Sequence, residues 1–154
     1  MIRWILPLLL MIMLLLPGCS DPGGLGTVSG LQGEISFETS WPDSLKAAVV
    51  VVFDVGLNLD SVSTPGYPVI EHFVTFGDPI DPGTVSTDYF IQLEPGNYVI
   101  MAIGLLLDPA ILLANEALFE RIGEFIVAPE NAAPRGIVIR EKKVNEQTRW
   151  YVRF

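Results

Sequence analysis

The 154-residue sequence contains one cysteine and one histidine, and it is poor in basic residues. A single cysteine excludes a disulfide framework and any zinc site built from Cys-x-x-Cys pairs. A single histidine excludes a multi-histidine metal centre. Nine lysines and arginines against 18 aspartates and glutamates give a net charge of -9, which would repel nucleic acid. Hydrophobic residues make up 50% of the chain and charged residues 18%, so the composition is that of a folded protein rather than a disordered acidic chain.

The first 18 residues have the pattern of a signal peptide. One positive charge, Arg3, precedes an apolar run at 4–16 that is shorter than the ~20 residues a membrane-spanning helix needs. The following motif, Leu16-Pro17-Gly18-Cys19, resembles the lipobox of bacterial lipoproteins, although that family usually has Ala or Ser where Pro17 stands. The resemblance implies cleavage before Cys19, a diacylglycerol on its thiol and an acyl chain such as palmitate on the new amine. The open alternatives are a plain membrane anchor and a secreted protein with an incidental cysteine.

Residues 19–30 are rich in glycine and predict a flexible tether between the anchor and a folded domain at 31–154. Two or three acyl chains would hold the protein on a membrane almost permanently. Ser20 stands where some Gram-negative bacteria place Asp to retain lipoproteins in the inner membrane, so their sorting rule favours the outer membrane. The sequence therefore predicts an extracytoplasmic protein of the bacterial cell envelope.

The remaining chain has short apolar segments separated by proline and glycine turns, which predicts an all-β fold. Residues 31–38 alternate, so Leu31, Ile35 and Phe37 should face inward, whereas 46–55 is apolar on both faces, as in a central strand. The other predicted strands lie at 67–76, 87–93, 98–106, 136–144 and 148–154, with a short return to the sheet at 124–128. We therefore expect an antiparallel sandwich of seven or eight strands with one short helical insertion.

Two hairpins and a helix connect these strands in the prediction. The turn Glu94-Pro95-Gly96-Asn97 should join two strands tightly, with Gly96 at positive φ. A second hairpin around 145–147 should join the last two strands. Asp108 as N-cap and Pro109 at the first helical position predict a helix over 109–122, with Gly123 as the C-cap. Its predicted buried face consists of Ile111, Ala114, Leu118 and Ile122.

Two segments carry a family resemblance. They are Gly33-Glu34-Ile35-Ser36-Phe37 and the stretch 89–102, in which the spaced residues are Tyr89, Ile91, Leu93, Pro95-Gly96, Tyr98 and Ala102. This spacing resembles carboxypeptidase-regulatory-like and prealbumin-like (transthyretin-like) sandwich domains, which recur in bacterial surface proteins and lipoproteins. The resemblance covers about 31–106, and the helical segment and the last strands depart from it. It implies an immunoglobulin- or prealbumin-like sandwich that is usually a non-catalytic accessory or binding module.

The candidate catalytic and metal-binding residues are few. His72 has Glu71 as its nearest acid in sequence, but on the opposite strand face, so we expect a surface or hydrogen-bonded core histidine. There is no Gly-x-Ser-x-Gly motif, and the hydrolytic prealbumin-like proteins use several His and Arg residues that this chain lacks. Asp78 and Asp81, helped by Asp60 or Asp88, are an alternative calcium site, although Asp-Pro is also ordinary turn chemistry. We therefore expect neither an enzyme nor a bound cofactor.

Charge is distributed unevenly along the chain. Residues 20–120 contain 14 acids and one base, Lys46, whereas 121–154 contain seven bases and four acids. One interpretation is that the basic segment lies beside acidic strands and relieves their repulsion. The alternative is a basic-aromatic face for lipid head groups, an acidic glycan or a protein partner, formed by Arg140, Lys142, Arg149, Tyr151 and Arg153.

The aromatic residues suggest a second kind of binding. Trp41 and Trp150 would stack on sugar rings if both were exposed, but Trp150 shares an inward-facing pattern with Val152 and Phe154 in the last strand. The first functional hypothesis is therefore a lipid-anchored structural or protein-interaction module, and the alternative is a glycan-binding surface lipoprotein. A calcium-dependent protein or an enzyme is the weaker alternative.

Overall fold

Two β-sheets packed face to face make up most of the part of the chain that the structure describes. A computed structural model describes residues 28–38, 41–58, 69–131 and 133–154. The fold is an all-β sandwich with a short helical insertion, as the sequence predicts. The predicted signal peptide lies outside the described residues, as does the tether up to residue 27.

Nine strands and two short α-helices are present in the described part of the chain. The strands are β1 (Gly30–Phe37), β2 (Ala47–Asp54), β3 (Phe73–Phe76), β4 (Ser86–Gln92), β5 (Gly96–Leu105), β6 (Ile126–Val127), β7 (Arg135–Ile139), β8 (Val144–Glu146) and β9 (Trp150–Val152). The helices are α1 (Pro109–Ala114) and α2 (Glu116–Glu120), and short 3-10 turns cover Val69–His72 and Ile122–Glu124.

The first sheet has β1 at its centre. β4 pairs with one side of β1 in antiparallel orientation, and β8 and β9 follow one another along the other side in parallel orientation. The second sheet has the order β3-β2-β5, with β6 and β7 both paired to the far side of β5. We call these the four-stranded and the five-stranded sheet.

A hydrophobic core fills the space between the two sheets. β1 contributes the inward-facing residues of its alternating pattern, among them Leu31 and Ile35, which are fully buried, and Phe37. The five-stranded sheet contributes alternate residues of β2 and β5 such as Val50, Val52 and Ile100. The alternation predicted for β1 is therefore confirmed, because one face of this strand packs and the other meets solvent.

A second core covers the outer face of the five-stranded sheet. The opposite residues of β2 and β5, such as Val49, Val51 and Ile103, pack there against Leu112 of α1 and Leu118 of α2. β2 and the second half of β5 are thus buried on both faces. This explains why 47–53 is apolar throughout, and it confirms the prediction of a central strand.

The predicted hairpin at Pro95-Gly96 is wrong, because the two strands that it joins belong to different sheets. β4 pairs with β1, whereas β5 pairs with β2 on one side and with β6 and β7 on the other. Gly83 is the glycine with positive φ in the described part of the chain, so Gly96 does not have the predicted conformation. The Pro-Gly segment carries the chain across the sandwich instead of folding it back within one sheet.

Tyr98 stabilises this crossing. Its hydroxyl donates a hydrogen bond to the backbone carbonyl of Glu94, four residues earlier, at 3.0 Å. The arrangement is that of a tyrosine corner, which holds a turn between two sheets of a sandwich. An ideal Cβ on Gly96 would lie 3.1 Å from the Tyr98 hydroxyl, so a residue without a side chain suits the position below the ring.

The predicted C-terminal hairpin is also wrong. β7 lies at the edge of the five-stranded sheet, whereas β8 and β9 lie in the four-stranded sheet, parallel to β1. The side chains of Asn145 and Arg135 bridge the two sheets here, donating to the backbone carbonyls of Val138 at 3.0 Å and of Thr148 at 3.3 Å. The chain thus leaves β7 in one sheet and enters β8 in the other.

The predicted helix over 109–122 is interrupted. Asp108 is the N-cap, as expected, and its carboxylate accepts the Ala110 N–H at 2.7 Å. Asn115 has an extended backbone, ends α1 and caps α2 through its side chain, so Gly123 does not cap a continuous helix. The predicted buried face is wrong within α1, where Ile111 is 54% exposed and Ala114 is exposed, while Leu112 is buried.

The third predicted strand is shorter than the sequence suggests. Strand pairing begins at Phe73, and the preceding residues Val69–His72 form a 3-10 turn. Residues 67 and 68, at the start of the predicted strand, lie outside the described residues.

Candidate functional site

The outer face of the four-stranded sheet carries part of the predicted basic-aromatic face. In β9, Trp150 and Val152 are buried in the core, whereas Tyr151 between them is 52% exposed. Arg149 and Arg153 flank the strand, with about half of each side chain exposed. The predicted outward direction of Arg149, Tyr151 and Arg153 is therefore confirmed.

Glu34 of β1 lies between these basic residues and β4. Its carboxylate accepts a hydrogen bond from the Ser86 hydroxyl at 2.6 Å and forms a salt bridge with Arg149. Hydrogen bonds from Ser86 and Arg149 lower the pKa of Glu34. The bonds that Arg149 makes with Glu34 and Tyr151 raise the pKa of the guanidinium. Glu34 thus links β1 to β4 through Ser86 and to the start of β9 through Arg149.

Arg153 is held by the segment that precedes β7. Its Nε atom lies 3.1 Å from Glu130 Oε2, and its backbone N–H donates to Asn131 Oδ1 at 2.8 Å. The pair of Arg149 and Glu34 places one base of the 121–154 segment beside an acid of an earlier strand, whereas Glu130, the partner of Arg153, belongs to the basic segment itself. Exposed pairs of this kind contribute little to stability, because solvent screens both charges.

Arg140 and Lys142 lie at the opposite end of β1. The backbone N–H of Lys142 donates to the Ser29 hydroxyl at 2.9 Å, so the turn that carries both residues sits where the described chain enters β1. β9 begins opposite Ile35, five residues along β1 from Gly30, so about 17 Å at ~3.3 Å per residue separates this turn from the start of β9. The structure therefore divides the five predicted residues into two groups, and sequence reasoning joined them because it assumed a hairpin.

The predicted calcium ligands Asp78, Asp81 and Asp88 line one groove on the side of the sandwich where β3 and β4 form the sheet edges. The groove has a volume of about 430 Å³. Asp60, the other predicted ligand, lies outside the described residues. Within the described part, no group of three His, Cys, Asp or Glu side chains lies close enough together to hold a metal ion.

His72 contacts an acid that the sequence did not suggest. Its Nδ1 atom lies 3.0 Å from Asp54 Oδ1 at the end of β2, and the same oxygen accepts the Gly56 N–H at 2.7 Å. The His72 side chain is 24% exposed. The contact connects the end of β2 to the turn before β3, which agrees with the expected hydrogen-bonded histidine.

The two tryptophans do not form an exposed pair. Trp150 is buried, and the guanidinium of Arg135 lies 4.6 Å from its ring centroid. Trp41 packs on Phe37 with a centroid distance of 4.5 Å, and its Nε1 donates to the Thr84 carbonyl at 3.2 Å. The inward direction predicted for Trp150 is confirmed, so the glycan hypothesis loses the tryptophan pair on which it was based.

Sequence reasoning missed the groove beside β4 and the contact of Ser86 with Glu34. Strand alternation places Glu34 on the solvent face, but only the register of β1 with β4 shows that Ser86, which pairs with Ser36, lies diagonally across from Glu34. The groove combines a strand edge with a distant turn, and its only sequence signal is the cluster of aspartates near β4.

The comparisons with known proteins give no match. No family model, no curated protein and no solved structure matches this chain. Among the described residues, no helix is long and apolar enough to cross a membrane. Cys19, the predicted lipidation site, lies outside the described residues.

Proposed function

We propose that this chain is a lipid-anchored protein of the bacterial cell envelope, whose β-sandwich acts as a non-catalytic protein-interaction module. In the proposal, Cys19 carries the lipid, the glycine-rich segment is a tether, and the sandwich belongs with the carboxypeptidase-regulatory-like and prealbumin-like domains. The observation that carries it is the order of a lipobox-like motif, a glycine-rich segment and a sheet that begins at Gly30. The outer membrane is the proposed location in a Gram-negative source.

The position of one basic turn supports this arrangement. The turn with Arg140, Lys142 and Lys143 contacts Ser29 and Gly30, where the tether reaches the sandwich. A lipid on Cys19 would bring this end of the domain towards the membrane. Lysine and arginine near an anionic surface contribute about 1 kcal/mol each, so the turn would favour contact with head groups. The rest of the chain carries a net negative charge, so an anionic surface would repel it.

Replacing Cys19 with alanine tests the anchor. We expect Cys19→Ala to abolish incorporation of a labelled fatty acid and to move the protein out of the membrane fraction. The melting temperature should not change, because Cys19 precedes the sandwich by the length of the tether. Ser20→Ala is the matched control and should keep both the label and the membrane fraction. Continued labelling of Cys19→Ala would refute the lipoprotein proposal.

A further inference from the structure

The outer edge of β4 has no strand beside it in the described part of the chain. β4 ends the four-stranded sheet, with β1 on its inner side. The Leu93 N–H donates to the Ser29 carbonyl at 3.1 Å and the Phe37 N–H to the Val85 carbonyl at 2.9 Å. Antiparallel bonding alternates, so these two bonds fix which residues of β4 face away from β1. The backbone groups that face outward belong to Ser86, Asp88, Phe90 and Gln92.

The segment that follows β3 lies opposite this edge and is held in place by backbone hydrogen bonds. The segment after β3 continues along β2, where the Gly77 N–H donates to the Val50 carbonyl at 2.8 Å. Ala48 and Ile80 then exchange two backbone hydrogen bonds, at 3.0 and 2.7 Å. These bonds hold the following turn in place, so its aspartates line the groove from one side and β4 lines it from the other.

The groove is acidic, and its strand edge also carries an apolar side chain. Asp78, Asp81 and Asp88 form no ion pair with a base of the described residues, and Phe90 is 49% exposed. A free strand edge is a template for another extended segment. Carboxylates along it repel an acidic segment and attract a basic one. A second copy of this chain is disfavoured, since its own β4 edge would bring the same carboxylates against these.

We propose that the outer edge of β4, beside which no described strand lies, binds an extended segment, rich in lysine or arginine, from another protein as an additional strand. The backbone of the segment bonds to the outward-facing groups at Asp88 and Phe90, and its basic side chains pair with the carboxylates of the groove. The apolar part of a segment side chain, such as the stem of a lysine, packs beside Phe90. The inference deepens the proposed function by naming a partner class, and it rests on the interaction role but not on the lipid anchor.

A peptide titration tests the inference with the full chain in detergent. The probe is a short fluorescent peptide of alternating lysine and threonine with blocked ends. We expect saturable binding that weakens with added salt, and no binding when glutamate replaces lysine. N-methylation of alternate amides should also abolish binding, because the peptide then lacks the donors of a strand. Absence of millimolar or tighter binding of the lysine peptide would overturn the proposal, as would equal binding of the N-methylated form.

Variants of the chain separate strand addition from charge attraction. Phe90→Pro removes an outward N–H without removing a bond to β1 and should weaken binding by at least about tenfold, whereas Phe90→Ala keeps the N–H and should lose less. The pair Asp78→Asn and Asp81→Asn should weaken binding roughly three- to tenfold. The pair Glu116→Gln and Glu120→Gln removes the same charge on α2 and should have no effect. Melting temperatures show that each variant is folded.

Three results would contradict the inference. Equal losses from the two acid-to-amide pairs would show attraction by net charge alone. Unchanged binding by folded Phe90→Pro would show that no strand is added. If Phe90→Pro is unfolded, the N-methylated peptide decides the same point. A dimer in light scattering that Phe90→Pro abolishes would make a second copy the occupant. Failure of the Cys19→Ala test would leave these binding results intact, so the two proposals fail separately.

Discussion

At the scale of single residues, Gly33 of β1 lies directly below the ring of Tyr89 on β4. An ideal Cβ on Gly33 would lie 2.7 Å from the Tyr89 hydroxyl and 2.9 Å from Cζ, both parts of a rigid ring. We expect Gly33→Ala to lower the free energy of unfolding by about 1–3 kcal/mol through overpacking. Gly136→Ala is the matched strand control, since nothing lies within 4 Å of its ideal Cβ, and it should be neutral or slightly stabilising. Urea unfolding compares them, and equal stability of the two variants would contradict the close contact.

The hydroxyl of Tyr89 makes the free energy of unfolding change with pH in the alkaline range. It is buried without a hydrogen-bond partner among the described residues, and burial raises its pKa. As the pH rises, the unfolded chain therefore loses this proton before the folded chain does. The stabilisation that comes from holding the proton in the folded state is fully present below about pH 10 and is lost as the pH rises further. Tyr89→Phe should be neutral to about 1 kcal/mol stabilising near pH 7 and should unfold less readily at alkaline pH than the native chain.

Thermal unfolding from pH 7 to pH 11 measures the effect, and Tyr151→Phe serves as the control because that side chain is half exposed. The Tyr89→Phe curve should lie above the native curve by a margin that widens with pH. A constant margin across this range would show that the Tyr89 hydroxyl does not ionise with unfolding.

At the scale of elements, the two faces of β9 contribute unequally to stability. Trp150 is 2% exposed, while its neighbour Tyr151 is half exposed on the solvent face. Trp150→Ala should cost about 3–5 kcal/mol through lost burial and the cavity left behind, whereas Tyr151→Ala should cost less than about 1 kcal/mol. Chemical denaturation of both variants measures the difference. Similar losses would mean that β9 does not alternate between core and solvent.

The strands themselves were predictable because their patterns are local. Alternation located β1, and apolar residues on both faces located β2 as a strand covered on two sides. The capping of α1 by Asp108 also followed from adjacent residues. The break at Asn115 did not, because Asn115 accepts the Leu118 N–H and so offers its own cap inside a plausible helical pattern.

Strand pairing was less predictable than strand location. Pro95-Gly96 has the composition of a hairpin turn, but the Tyr98 hydroxyl bonded to Glu94 holds a crossing between sheets. The turn after β7 has a similar ambiguity. In both places the choice of sheet depends on which partner strand is free, and that information lies far away in sequence.

At the scale of the whole molecule, the charge asymmetry of the sequence becomes a spatial arrangement. The basic segment returns to the acidic first strand, where Arg149 meets Glu34, while the groove beside β4 keeps its aspartates unpaired with bases of the described residues. Sequence alone predicted that the basic segment could neutralise acidic strands. It could not show which acids would be neutralised, because that depends on the parallel pairing of β9 with β1.

The position of β1 between β4 and β9 has a consequence for how the domain assembles. Glu34 and Arg149, which meet across that pairing, are 115 residues apart in sequence. Closing so long a loop costs entropy before any contact compensates it, and such non-local pairing slows folding. β1 is also synthesised long before β8 and β9, so the edge of β1 that pairs with them stays unpaired until they have been made. During synthesis the four-stranded sheet can therefore be completed only after the last strand of the described chain has been made.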